Sequence, residues 1–336
     1  MTTEKTTKPS KSVAFTFGEP EAALGSRDTI GYLHSYWNGE YYNPPISMNG
    51  LAKTLNANPH HASAIECKRN ILASCFIPSK YLSADDFLKL AQDYMVFGNC
   101  YLERINDRAG RALKLKHSPA KFTMKTQAGY GFLKQGHELH HFKPDHVWHI
   151  MNPDINQEYY GIPSYMSALQ SVFLNESATL FRRRYYENGS HAGYILYIND
   201  AAQSEADIDN IRNSLKESKG VGNFKNLFMY APDGKKDGVQ LIPISEVAAK
   251  DEFLDIKNVT RDDILAAHRV PPVIMGIMPN NVGGFGSVEA ASKVFARNEI
   301  MPLQSRFTAI NDWAGVEAVK FNHYEIDVAD AGARVR

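Results

Sequence analysis

Cysteine is scarce: Cys67, Cys75 and Cys100 are all that 336 residues contain, and no two stand in CxxC spacing. That scarcity excludes a disulfide scaffold and fits a reducing compartment. Long apolar runs are missing as well; none reaches the ~18 residues of a membrane-spanning helix, so no transmembrane segment is expected. The start of the chain, residues 1–12, is rich in Thr, Lys and Ser and lacks an apolar centre, so it is not expected to act as a secretory signal. Charge of one sign is not in excess either, with 37 Lys and Arg against 37 Asp and Glu. A protein that grips DNA through its phosphates carries a basic surplus. Balance therefore disfavours tight, static DNA binding, but it is compatible with a surface along which DNA slides. No segment repeats at a fixed period.

What is present is an ordinary globular composition, 43% hydrophobic and 22% charged, on a chain long enough for two or more structural units. A loose N-terminal tail is expected over residues 1–25, followed by a helix near 28–37 and a turn-rich stretch over 38–45. Helices are expected over 47–56 and 60–75, separated by Pro59. Ser83 and Asp86 have the spacing of a capping box. Phe87, Leu90, Tyr94 and Phe97 then recur at helical spacing, and Gly98 closes the helix. Period two takes over at 100–105 and 112–117, two strands around the turn 106–110, and another strand is expected over 146–151. Residues 164–187 read as the longest helix, with Ser164 as cap and Leu169, Val172, Phe173, Leu180 and Phe181 as its apolar stripe; it would span roughly 36 Å.

A strand over 192–198 follows. Ser204 and Asp207 then start a helix whose stripe (Ile208, Ile211, Leu215) is narrow, as in a rod contacted on one side. Strands are expected at 227–230 and 239–244, joined by the turn 232–238. Helix resumes near Ala249, with Thr260 and Asp263 as a further cap, and ends before Val270-Pro271-Pro272. A polar Gly-rich loop over 276–287 precedes a last long helix over 288–313, which Pro302 should kink or restart. A strand and a loose end are expected after Gly315.

Candidate chemistry is sparse. The run Gly283-Gly-Phe-Gly-Ser287 matches neither GxGxxG nor GxxxxGK[ST] and has no Lys to hold a phosphate, so it reads as a mobile loop. His137, His140, His141, His146 and His149 cluster within thirteen residues, but the HExxH order is absent and a structural role is favoured over a metal site. Ser190 is not in a GxSxG elbow, and Cys100 has no base beside it in sequence. Asp85-Asp86 and Asp262-Asp263 fall in first helical turns, where capping explains them. Arg182 to Arg184 read as helix-end charge. No catalytic residue, metal site or cofactor is expected.

Several segments, however, resemble the portal proteins of tailed temperate phages in the branch with contractile tails. They are Lys68-Arg-Asn-Ile-Leu-Ala-Ser74, Phe97-Gly-Asn99, His149 with Pro153-Asp-Ile-Asn-Gln157, Tyr160-Gly-Ile-Pro163, Asn175-Glu-Ser-Ala-Thr-Leu-Phe-Arg182, Tyr185-Tyr-Glu-Asn-Gly189, Ala192-Gly-Tyr194, Asn223-Phe-Lys-Asn-Leu-Phe228, Ala267-His-Arg-Val-Pro271, and Arg297-Asn-Glu299 with Ile300-Met-Pro-Leu-Gln304. Their order and spacing extend over roughly residues 13–326.

The resemblance implies an α+β portal fold. Its parts are a mixed wing (26–200), stem helices (201–270) with a small β clip at 221–248, a tunnel loop and long kinked helix (271–314), and a C-terminal strand and tail (315–336). It implies no enzyme, but a homo-oligomeric ring, dodecameric in the family, at one capsid vertex. Double-stranded DNA passes through such a ring during packaging and ejection. Terminase, major capsid, scaffold and head-completion proteins are the implied partners; the location is the virion, with assembly in the host cytoplasm and no membrane. Asn280, Asn281, Val282, Gly283, Gly284, Phe285, Gly286 and Ser287 would form the tunnel loop, Lys293 and Arg297 would offer passing phosphate contacts, and Pro302 would set the kink. A head–tail adaptor that does not close into a ring, and a metal-dependent hydrolase using the 137–149 histidines, are the alternatives.

Overall fold

The computed structural model describes residues 13–15, 35–134, 138–187, 194–198, 227–230, 239–243, 249–277 and 288–324. In chain order the strands are β1 (Val13–Phe15), β2 (Asn99–Asn106), β3 (Ala112–Ser118), β4 (Thr123–Thr126), β5 (Gly129–Leu133), β6 (Leu139–His141), β7 (Val147–Met151), β8 (Tyr194–Ile198), β9 (Leu227–Tyr230) and β10 (Val239–Pro243). The α-helices are α1 (Met48–Thr54), α2 (Pro59–Cys75), α3 (Ala84–Phe97), α4 (Leu169–Glu187), α5 (Ala249–His268), α6 (Val288–Phe295), α7 (Met301–Thr308) and α8 (Ile310–Ala314). The helix expected from Ser204, the turn 232–238 and the loop 280–287 lie outside the described residues.

The chain forms two compact units, Leu24–Leu174 with Val259–Arg336, and Met1–Ala23 with Asn175–Asn258. These divisions fall inside α4 and α5.

In the larger unit, local chemistry explains the starts of the first three helices and the end of the third. Ser47 Oγ accepts from the Gly50 amide at 3.1 Å to start α1. Asn58 Oδ1 accepts from the His60 and His61 amides at 2.8 and 3.3 Å, with Pro59 as first residue of α2. Ser83 Oγ accepts from the Asp86 amide at 3.1 Å, and Gly98 ends α3 in the left-handed region at φ 66°. Phe87, Leu90, Ala91 and Tyr94 form the buried stripe of α3. They meet Leu72 of α2, Leu102 and Leu115 of the sheet, and Phe295, Ile300, Phe307 and Ile310 of the C-terminal helices in one core.

That sheet has the order β3-β2-β7, antiparallel throughout, with a bulge between Ile105 and Asn106. A second core gathers Tyr101, Tyr160, Tyr165, Phe97 and Phe173. Tyr160 Oη donates to the Tyr42 carbonyl (2.6 Å) and accepts from the Lys125 amide (3.0 Å).

The structure corrects several expectations. Residues 35–37 are not helical; Trp37 makes an isolated bridge with Tyr42, because Asn38 Oδ1 accepts from the Glu40 and Tyr41 amides and turns the chain. The helix expected from Ser164 begins only at Leu169, after a 3₁₀ turn over Met166–Ala168. The buried Tyr165 holds that turn away from a regular helical start by donating from Oη to the Val96 carbonyl. Thr260 and Asp263 do not cap anything: α5 runs unbroken past them, Thr260 is buried, and Asp263 accepts from Ser171 Oγ at 3.0 Å. A small antiparallel sheet, β4-β5-β6, was not anticipated; its strands are three to five residues long and too short to show a period.

In the other unit the sheet order is β1-β9-β8-β10. The strands expected at 227–230 and 239–244 are present, but they flank β8 instead of pairing with each other. β8 runs parallel to β9 and antiparallel to β10. Val13–Phe15, inside the segment read as a loose tail, pairs antiparallel with β9. Val13-Ala-Phe15 is rich in residues that suit a strand, but three residues are too few to declare one in sequence.

The larger unit is tied together at Asn99, which is fully buried. Its Nδ2 donates to the Phe97 and Gly161 carbonyls (2.8 and 2.7 Å), and its Oδ1 accepts from the Gly161 amide (2.6 Å) and from His149 Nε2 (2.9 Å). Beside it the backbones of Gly98 and Gly161 approach so closely that a Cβ on Gly161 would overlap the Gly98 carbonyl and the Asn152 amide. The expected outcome of Asn99→Ala is a loss of about 3 kcal/mol, since it orphans buried partners on three segments; an unchanged urea midpoint would refute this account of the knot.

Candidate functional site at the interrupted C-terminal helix

The helical run that begins at Val288 changes character before Pro302. α6 gives way to a π turn over Ala296–Ile300, in which the Met301 amide donates to the Ala296 carbonyl, and α7 then carries Pro302 as its second residue. Proline has no N–H to give the Asn298 carbonyl, and its ring crowds that carbonyl. The widened turn N-terminal to it accommodates both effects. The irregularity thus lies over 296–300, ahead of the proline.

The π turn presents Glu299 to two cations from distant parts of the chain. Lys68 Nζ on α2 lies 2.8 Å from Glu299 Oε2, with both side chains almost buried. Arg269 Nη1, just past the end of α5, lies 3.3 Å from Oε1. Arg269 adopts φ 55°, an unusual conformation for a side chain of its size. Burial holds Lys68 below the ordinary lysine range, and the Glu299 carboxylate opposes that shift without cancelling it.

One turn along α7, Arg306 Nη1 donates to Tyr94 Oη at 2.5 Å and reaches Asn152 Oδ1 at 3.4 Å. Burial pushes the Tyr94 phenol up, and the Arg306 guanidinium pulls it back. Lys68, Tyr94, Asn152, Arg269, Glu299, Pro302 and Arg306 all line one cleft of about 120 Å³.

Three histidines of the larger unit are held as neutral rings, and one of them, His268, lines the cleft. His61 Nδ1 and His268 Nε2 share one proton at 2.9 Å. Burial lowers His61 to about 4 and His268 to about 2, the latter helped by the nearby His61 and Lys68. His149 is lowered to about 3 by burial and then by Lys125. Its Nε2 must carry the proton, because Asn99 Oδ1 can only accept; its Nδ1 then accepts from Tyr130 Oη at 3.4 Å.

The residues singled out from sequence are distributed unevenly over this geometry. Asn280, Asn281, Val282, Gly283, Gly284, Phe285, Gly286 and Ser287 lie outside the described residues, as does His137. Lys293 pairs with Glu289 one turn back on α6, and Arg297 is exposed on the π turn. Among the other clustered histidines, His140 and His141 are exposed on β6, and His146 Nδ1 contacts the Arg104 carbonyl at 2.9 Å. No group of three or more metal-ligating side chains occurs among the described residues. Lys68, Arg269 and Glu299 were missed as a site although each lies in a segment quoted above. Lys68 and Glu299 are 231 positions apart, so nothing in the sequence announces their meeting.

Comparison with known proteins gives this geometry a family. The model of the phage portal protein family matches residues 55–336. The chain belongs to the phage portal protein family. Among portal relatives, it is 51% identical over 319 residues to a probable portal protein of Escherichia phage P2, covering 94% of this chain and 93% of that one. The fold is shared with chains of far lower identity. A chain in the neck of a native gene transfer agent particle, computed with C12 symmetry, superposes with a TM-score of 0.60 at 18% identity, over 86% of this chain and 88% of that one. An HK97 family phage portal protein from Corynebacterium diphtheriae gives 0.57 at 16% identity, over 81% and 94%. The α+β class read from sequence agrees with the fold shared with the HK97 family portal protein.

Two outcomes follow from the buried charges. Glu299→Gln leaves Lys68 buried without its carboxylate and is expected to cost about 3 kcal/mol, whereas Lys68→Met with Glu299→Leu should cost much less; equal losses in denaturant titrations would contradict the pairing. The depressed histidines set the sign of the pH dependence. In the unfolded chain they protonate near 6.5, while the folded chain resists down to the values above. Stability is therefore complete above about pH 6.5 and falls as pH drops below it, by up to about 1.4 kcal/mol per unit for each histidine. His149→Phe should flatten that slope by roughly one proton, and a slope identical to wild type would show that His149 is protonated in the fold.

Proposed function

We propose that copies of this chain close into a ring at one capsid vertex and form the channel through which double-stranded DNA enters and leaves the particle. The observation that carries this reading is family membership along nearly the whole chain, at 51% identity to a portal protein over 94% of its length. The C12 symmetry of the particle neck that holds a chain of the same fold supports twelve copies. A ring of identical subunits uses a heterologous interface whose rotation closes.

Zero net charge supports a conduit over a clamp, since a channel touches a polyanion without retaining it. In this reading residues 26–200 are the wing. Residues 201–270 carry the stem, with the clip at 221–248 as docking face for terminase and then for head-completion proteins. Residues 280–287 are the tunnel loop, Lys293 and Arg297 meet passing phosphates, and the helix interrupted before Pro302 stands behind them. The ring itself is not an enzyme; packaging work is done by the docked motor. Scaffold and major capsid proteins surround it in the assembling particle.

Light scattering on the purified chain is expected to give about 450 kDa, twelve times the 37.6 kDa of one subunit, with a central pore in negative-stain images. A stable monomer or dimer at high concentration would instead favour an adaptor that assembles only on a partner. Deleting residues 280–286 should leave the rings intact and impair DNA packaging or retention; normal packaging by the deleted rings would remove the tunnel-loop assignment.

A further inference from the structure

The cleft beside the π turn has an unbalanced charge. Lys68, Arg269 and Arg306 line it as cations, and Glu299 is its single carboxylate. Both Glu299 oxygens are already engaged, Oε2 by Lys68 and Oε1 by Arg269. Arg306 contacts only neutral groups, Tyr94 Oη and Asn152 Oδ1, and has no carboxylate within ion-pair distance among the described residues. Two positive charges thus remain uncompensated around a concave space of about 120 Å³. That space is large enough to admit a small tetrahedral oxyanion together with some of its water.

Arginine's planar fork suits such a ligand. One Nη of Arg306 is fixed by Tyr94, so the guanidinium is oriented before anything binds. Lys68, nearly buried at the floor, supplies a point charge in a medium where water screens it poorly. The tyrosine is in turn held in the α3 stripe, and Asn152 is anchored by three backbone bonds, to Gly98 and to both sides of Ile162.

We propose that this cleft is a binding site for an oxyanion of the phosphate class, bridged between Arg269 and Arg306 over the Lys68–Glu299 pair. A bound phosphate would join the exit of α5, at Arg269, to α7, at Arg306. The site is complete within one subunit and does not require the ring.

The test is a titration of the full chain with inorganic phosphate at constant ionic strength, read by ³¹P line broadening. Wild type and Arg111→Gln, a change in a hairpin salt bridge with Asp107 outside the cleft, should bind alike. Arg306→Gln and Arg269→Gln should each weaken binding by about tenfold or more. Arg269 is largely exposed, so its variant keeps the test valid if Arg306→Gln folds poorly. Competition by a short DNA duplex would identify backbone phosphate as the natural source; a phosphate signal indifferent to duplex would identify the free ion. Phosphate broadening that is absent, or equal in wild type and both cleft variants, would overturn the proposal, and ring mass measured on the same samples keeps that result separate from the portal reading.

Discussion

A single buried amide organises the larger unit. Asn99 sits where α3 has just ended on a left-handed glycine and the central strand begins, and it is fully shielded from solvent. It therefore bonds to Phe97, Gly161 and His149, fixing the helix end, the segment after β7 and β7 itself against one another. In an interior of low polarity each of those bonds is strong, and each would be expensive to leave unmade. The close contact of Gly98 with Gly161 is the steric side of the same arrangement, since neither position has room for a side chain. Asn152, which helps to hold Arg306, takes its place from this contact through its bond to the Gly98 carbonyl.

From that fixed frame the electrostatics of the cleft follow. A proline inside a helix forces an irregular turn, and the turn delivers a carboxylate to a buried lysine that α2 could not otherwise tolerate. The pairing links three stretches of chain that share no hydrogen-bonded sheet. It also leaves more cation than anion around one concavity, against a background in which the chain as a whole is neutral. Local imbalance within global balance is how a protein can host a small anion without becoming a general polyanion binder.

Much of the fold was legible where the cause is local. Ser83 and Gly98 bracket α3 as their chemistry requires, the break read at Pro59 separates α1 from α2, and the alternation over 100–105 and 112–117 produced paired strands. Misreadings arose where a distant partner decides. Tyr165 delays α4 by reaching Val96, 69 residues away, and Thr260 looks like a cap only until burial inside α5 is known. The β4-β5-β6 sheet was hidden by strands too short to show a period, and β9 and β10 invited a hairpin because the strand that separates them, β8, comes earlier in the chain. The candidate cleft was illegible as a unit: its residues lay in family-like segments, but their convergence is a property of the packed chain. The family itself was legible because order and spacing of many weak segments carry information that no single segment does.

Both compact units are discontinuous in sequence, and this governs the order in which they can be completed during synthesis. Val13–Phe15 leaves the ribosome early, yet its partner Leu227–Tyr230 is made more than two hundred residues later. At typical elongation rates of about 5–20 residues per second, that strand waits on the order of 10 to 40 s for its neighbour. The larger unit waits about as long, because the helices that cover α3 follow it in the chain by a similar distance. Nascent chains therefore carry exposed strand edges and an uncovered apolar helix until those later segments emerge, a window in which chaperones, or the wrong neighbouring chain, have their opportunity.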